Sequence, residues 1–348
     1  MRDLFLVVMA GGSGTRFWPK STSSKPKQLL SFGPRFKGSL LTQTLDRFVG
    51  IVPLEQHWIV TTQLLSDAVI AEAPKAKVLA EPQGRNTAPC IYWAAREIAK
   101  ENPEAVMLVM PSDHFITRPE KFKESIMSAI EWAKQHSDLV TLGVKPSHPE
   151  TGYGYLKLGK SLGSGCAQVE AFVEKPNLEK AQEFVRSKQY LWNGGMFVWK
   201  TSAILEAFDW HMPEMKKAWD TSQGKIEIAY PKMTATSIDF GVMERSSNVV
   251  TFELDCGWND LGSWTALGNV AEELGAQQEY GILTAGQMIS VDSSHNVIDV
   301  PGKLVALLGV HNLIVAQNGD ALLIAHQDRA QDIRAVVDAV KKTRPDLV

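Results

Sequence analysis

Cysteine is scarce. Three occur in 348 residues, Cys90, Cys166 and Cys256, separated by 76 and 90 positions. That number and spacing exclude a dense disulfide framework and a clustered thiolate zinc site, so the three read as reduced core residues of a cytoplasmic protein. An excess of either charge is equally absent: 36 Lys plus Arg against 39 Asp plus Glu leave a net charge of −3. Duplex nucleic acid therefore has no global electrostatic footprint to meet. Apolar runs are short, and the run LFLVVMA at residues 4–10 falls far below the roughly 20 residues of a membrane-spanning helix. The same run lacks a following small-residue cleavage site and reads as a first buried strand, not a signal peptide. No fixed-period repeat over three or more copies, low-complexity linker or charge block interrupts the chain.

What is present is the composition of a globular protein, 44% hydrophobic and 22% charged, long enough for roughly two domains. Up to about residue 145, apolar runs at Leu4–Ala10, Trp58–Thr61, Lys77–Ala80, Ala105–Met110 and Leu139–Val144 alternate with amphipathic stretches such as Thr87–Lys100 and Pro119–Gln135. Continuous apolar runs with helices between them indicate an α/β fold, a doubly wound, mostly parallel sheet covered on both faces. Strand-like pieces with aromatics and glycines at their ends follow from about 151 to 268, an insertion expected to wall a cleft. Beyond about 270, closely spaced runs broken by Gly, Asn and Asp predict a small β unit closed by an amphipathic helix over Asp328–Lys342. The expected division is 1–268 and 269–348.

The strongest local signal is LFLVVMAGGSGTRFWPKSTSSKPKQLL at residues 4–30. A glycine-rich turn after a first parallel strand lies at the carboxyl edge of the sheet, where its N–H groups can approach phosphate. Gly11, Gly12 and Gly14 supply the close approach. Phe17 stands where a dinucleotide fingerprint from Gly12 needs its third glycine, and no Gly-Lys-Ser/Thr ends the loop, so a dehydrogenase and a P-loop ATPase are disfavoured. Arg16 and Lys27 flank the turn instead, two cations suited to a triphosphate.

The string AGGSGTRFWPKS followed by PKQ resembles the signature of the sugar-nucleotide pyrophosphorylases, specifically the mannose-1-phosphate guanylyltransferases. EPQGRNTAP (81–89), MPSDHFI (110–116), TGYGYL (151–156), FVEKP (172–176), WNGGMFVW (192–199) and GWNDLGSW (257–264) are similar to further motifs of that family, in the same order. The resemblance implies transfer of GMP from GTP to α-D-mannose 1-phosphate, with pyrophosphate released and Mg²⁺ as cofactor. It also implies that Asp113, at the end of an apolar strand, and Asp260 hold the metal together. By themselves these acids could equally be a helix N-cap and a turn Asx residue.

By the same resemblance EPQGRNTAP belongs to the guanosine site, with Asn86 ahead of Glu81 and Arg85, either of which could instead be a helix-terminal salt-bridge partner. Gly154, Glu174 and Asn193 match hexose-contacting positions, and Lys175 matches the partner of the sugar phosphate, although it could be an ordinary exposed lysine. Two departures, Gly194–Gly195 after Asn193 and Phe240 in SIDFGVMER, touch sugar selectivity rather than the reaction. The same chemistry on another NTP or hexose phosphate, and a silent GDP-mannose-binding regulator, are the alternatives. The chain is expected to lack the cupin isomerase domain of some relatives and to form a homodimer.

Overall fold

A computed structural model describes residues 3–12, 14–32, 37–275, 277–278 and 281–348. Ser13 of the glycine-rich loop thus lies outside the described residues. The chain forms two compact units. One spans Met1–Gly11, Arg47–Pro111 and Arg118–Cys256, the other Gly12–Asp46, Ser112–Thr117 and Gly257–Val348.

The first unit is built on a nine-stranded sheet. Its spatial order is Lys77–Glu81, His57–Thr62, Leu4–Met9, Val106–Pro111, Tyr190–Lys200, Leu139–Val144, Val249–Leu254, Cys166–Val173 and Tyr155–Gly163. The first four of these strands pair in parallel, as their uninterrupted apolar runs predict. The sheet as a whole is mixed. Tyr190–Lys200 enters antiparallel between Val106–Pro111 and Leu139–Val144, and the strands Tyr155–Gly163 and Cys166–Val173 form an antiparallel pair at one edge. An apolar run records burial on both faces but not chain direction, which is why the pattern could not separate these cases.

Packing explains the runs. Phe5 and Val7 point into a core shared with Tyr92, Trp93 and Ile98 of the helix Thr87–Ala99. Leu6 and Val8, on the opposite face of the same strand, are also fully buried. The helix Pro119–Gln135 begins at the proline and acid that marked it in the sequence. Cys90, Cys166 and Cys256 are free and buried. Burial pushes the Cys166 thiol up to about 12 and that of Cys256 up to about 11, so neither is a thiolate nucleophile at neutral pH.

In the second unit Gly281–Val291, Asn296–Leu308 and Leu313–Asn318 stack in parallel, and Ala321–His326 returns antiparallel. Connections this short between parallel strands require the chain to coil upward like a β-helix rather than cross over through a helix. Two residues make the coil possible. Gly286 has φ +99°, and a Cβ there would lie 2.1 Å from the Val300 carbonyl oxygen. Asn296, fully buried, donates to the Val310 carbonyl and accepts from Leu313 N–H. The closing helix runs Ile333–Thr343, after a 3₁₀ stretch over Gln327–Asp332.

Candidate active site

Within the second unit, the glycine-rich segment is pinned by the C-terminal strands and helix. Lys20 pairs with the fully buried carboxylate of Asp299 at 2.6 Å. Asn318 donates to the Pro19 carbonyl, and Trp18 Nε1–H donates to the Leu347 carbonyl. Phe17 packs with Phe32 and Trp264 in the core of this unit. A loop whose regular structure is two short 3₁₀ turns, Thr15–Phe17 and Lys27–Leu29, is thereby held in one shape, as positioning charge on a substrate requires.

Gly14 shows what that shape is for. It is left-handed at φ +55°, and a Cβ there would meet Lys27 Cβ at 2.2 Å, so the turn folds directly onto Lys27. The Lys27 side chain is buried, and its ammonium donates to Asp113 Oδ2 at 2.8 Å and to the Asp260 carbonyl. Arg16 donates to the Gly262 carbonyl.

The two acids meet because a short antiparallel ribbon joins their segments. Phe115 pairs with Asn259 and Ile116 with Trp258, which places Asp113 and Asp260 at the same end of the ribbon although 147 positions separate them in sequence. Arg16, Lys27, Asp113 and Asp260 line one pocket of about 160 Å³, together with Phe17, His114, Leu261, Gly262 and Arg334. Desolvation pushes the Asp113 carboxyl up, but the Lys27 ammonium, His114 and hydrogen bonds outweigh it and hold the group below its ordinary value. Asp113 is therefore an anion at neutral pH. His114 Nδ1 accepts from Trp258 Nε1–H at 3.1 Å, which puts the ring proton of a neutral His114 on Nε2, 4.0 Å from Asp113 Oδ1.

Among the described residues no three His, Cys, Asp or Glu side chains gather as a metal cage. Asp113 and Asp260 offer hard oxygen ligands from two carboxylates. That donor set fits Mg²⁺, which commonly binds through one or two carboxylates and completes its shell with water and substrate phosphate.

Apart from Gly12, which lies in the second unit and whose carbonyl accepts from Gln28 Nε2, the other expected positions lie in the first unit and form two groups. Glu81, at the end of the strand Lys77–Glu81, is 4% exposed and accepts a short hydrogen bond from Tyr230 Oη. Burial raises its carboxyl to about 7, with the Tyr230 bond opposing the rise. A Cβ on Gly11 would lie 3.1 Å from Glu81 Oε2, so these two expected residues are neighbours. Asn86, with φ +65°, caps the helix Thr87–Ala99 by accepting from Thr87 N–H. Arg85 donates to the Met233 carbonyl at 2.7 Å.

In the second group Asn193 N–H donates to the Gly154 carbonyl, and a Cβ on Gly154 would lie 2.7 Å from Glu174 Oε2. Lys175, left-handed at φ +42°, pairs with Glu174 at 2.8 Å while its own side chain stays exposed. Gly154, Glu174, Lys175 and Asn193 therefore come together. So does Asp239, which accepts from Asn193 Nδ2 at 2.7 Å. Burial raises its carboxyl despite that bond, and Glu174 adds to the rise.

Asp239, Tyr230, His114 and Arg334 escaped the sequence reading. The segment SIDFGVMER had drawn notice only for Phe240, which is exposed. His114 sits inside MPSDHFI next to the acid that took the attention. Tyr230 and Arg334 carry no local signal.

Residues 6–277 match the family profile described as Nucleotidyl transferase. Residues 286–340 match the MannoseP isomerase/GMP-like beta-helix domain. The chain is 37% identical to the xanthan biosynthesis protein XanB of Xanthomonas campestris pv. campestris, over 98% of this chain and 74% of that one. It is 36% identical to a mannose-1-phosphate guanylyltransferase of Escherichia coli K12, over 97% and 73%. A crystal structure from Thermus thermophilus, described as a mannose-1-phosphate geranyltransferase, superposes with a TM-score of 0.90 at 32% identity over 98% of this chain and all of that one. A putative glucose-1-phosphate thymidylyltransferase from Bacillus anthracis shares the fold alone, with a TM-score of 0.53 at 14% identity.

Proposed function

The chain belongs to the nucleotidyl transferase family, and from that premise we propose that it transfers GMP from GTP to α-D-mannose 1-phosphate, giving GDP-mannose and pyrophosphate. The observation that carries the reading is the pocket in which Arg16, Lys27, Asp113 and Asp260 meet. A phosphate oxygen of mannose 1-phosphate attacks the α-phosphorus of GTP. The new P–O bond forms as the bond from the α-phosphorus to the β-phosphate oxygen breaks, and pyrophosphate leaves with that electron pair. A phosphate monoester dianion needs no general base for this, so the protein's task is to position the reactants and offset charge.

Lys27 answers the second need. Its ammonium is buried beside Asp113, in a setting where a fixed cation acts more strongly than in water. The glycine-rich turn presents N–H groups to the phosphates, and Arg16 adds a guanidinium suited to bidentate contact. Asp113 and Asp260 would hold Mg²⁺, which would supply positive charge to offset that of the phosphates.

For the acceptor, Glu174 and Asn193 suit pairs of hexose hydroxyls, and Lys175 suits the sugar phosphate. For the donor, Glu81, Arg85 and Asn86 are the guanosine-side candidates, with Gly11, Gly12 and Gly14 at the phosphates. No described helix is long and apolar enough to cross a membrane. We read the protein as cytoplasmic and as a homodimer. Support for the dimer is the set of exposed apolar side chains on its C-terminal strands, among them Leu304, Leu308, Leu322 and Ile324. A monomeric mass at micromolar concentration contradicts it.

The direct test follows GTP, mannose 1-phosphate and Mg²⁺ by phosphorus NMR. GDP-mannose and pyrophosphate should appear in equal amounts, and Asp113→Ala should abolish both. Wild-type protein that binds GDP-mannose yet forms neither product would make it a regulator instead.

A further inference from the structure

The pocket around Lys27 contains one cation that no sequence motif announces. Arg334 is the second residue of the helix Ile333–Thr343, and it lines the pocket with Arg16, Lys27, Asp113 and Asp260. Its backbone is well held. Ile333 beside it and Val337 one turn on are buried in the same core as Phe17 and Leu30, while Arg334 itself stays exposed.

The nearest acid in sequence is diverted, since Asp332 is bound by Arg329. Among the ion pairs of the described residues, none joins Arg334 or Arg16 to a carboxylate. The two guanidiniums act on each other instead. Burial first, and the Arg334 charge second, hold the Arg16 guanidinium below its ordinary value, with Asp260 opposing. Two guanidiniums lining one pocket repel each other, Asp260 offsets that repulsion only in part, and an anion bound between them relieves it.

We propose that Arg334 is a third phosphate-binding cation, acting with Arg16 on the phosphate chain of the nucleoside triphosphate and on the pyrophosphate it releases. The inference rests on the guanylyl-transfer reading and extends it, because the closing helix then supplies a residue to the reaction. Lys27 is committed to Asp113 and the Asp260 carbonyl. Charge on the departing pyrophosphate is then shared by Lys27 and the two guanidiniums, whose planar forks bind phosphate oxygens in pairs.

The test compares the full-length protein with Arg334→Ala and Arg334→Lys. Arg334→Ala should raise KM for GTP, and for pyrophosphate in the reverse reaction, by about tenfold or more. KM for mannose 1-phosphate should stay within about twofold, and lysine should recover part of the loss. Unchanged KM for GTP and pyrophosphate overturns the proposal. A uniform loss toward all three substrates with a lowered melting temperature also overturns it, by making Arg334 structural. Pyrophosphate binding measured by calorimetry without sugar separates the two readings. If the wild type makes no GDP-mannose, the guanylyl-transfer reading fails, and weaker pyrophosphate binding by Arg334→Ala still supports the cation site. Equal binding by the two proteins removes it.

Discussion

Glu81 allows a prediction whose size follows from the structure. The side chain is 4% exposed and bonded to Tyr230, and burial lifts its carboxyl from 4.5 to about 7. The folded protein therefore favours protonated Glu81, whereas the unfolded chain releases that proton near its ordinary value. The resulting stability is fully present below the unfolded value and is lost as pH rises through about 7, a total of about 3 kcal/mol. Glu81→Gln keeps the shape and a hydrogen-bond acceptor for Tyr230 but carries no charge. Wild type should lose about 2 to 3 kcal/mol more than the variant between about pH 5 and about pH 8, with the variant the more stable at the upper end. Urea unfolding followed by tryptophan fluorescence, with slopes compared as well as midpoints, measures the difference. Parallel stability curves for the two proteins would refute the argument, because they would mean that Glu81 ionises as freely in the fold as in water.

Three other perturbations test the second unit. Lys27→Met should lower kcat by about a hundredfold to a thousandfold, since a buried cation aimed at developing charge is removed; turnover within threefold of wild type would remove Lys27 from the mechanism. Gly14→Ala places a Cβ 2.2 Å from Lys27 Cβ in a left-handed turn, so kcat should fall at least about tenfold as Lys27 is displaced; steady-state kinetics show whether it does. Asp299→Ala leaves the Lys20 ammonium without its buried partner and should cost about 3–5 kcal/mol, read as a lower unfolding midpoint in denaturant.

The legible parts of the site are those whose chemistry is local. The glycine turn, Arg16 and Lys27 lie within one short stretch, Asp113 follows the apolar run AVMLVMPS, and Asp260 lies among the aromatics and glycines of GWNDLGSW. What brings those acids together, the ribbon pairing Phe115 with Asn259, has no signature, because each strand is only two residues long. Asp239 and Tyr230 were missed for a related reason. Their partners are Asn193, 46 positions away, and Glu81, 149 positions away, and an isolated acid or tyrosine does not announce a distant partner. The sheet's mixed direction was hidden as well. Tyr190–Lys200 lies in the stretch expected to be an insertion walling a cleft, yet it is buried along most of its length inside the main sheet and runs antiparallel to both Val106–Pro111 and Leu139–Val144.

The central claim is that this chain joins GTP to mannose 1-phosphate, and pyrophosphate release tests it most directly. Purified protein with Mg²⁺ is assayed with GTP, ATP, CTP and UTP, each against mannose, glucose and fucose 1-phosphates. The account predicts release mainly from GTP with mannose 1-phosphate, and none when Mg²⁺ is chelated. Release mainly from a different pair would contradict the assigned substrates while leaving the transfer chemistry intact, and no release from any pair would contradict the account as a whole.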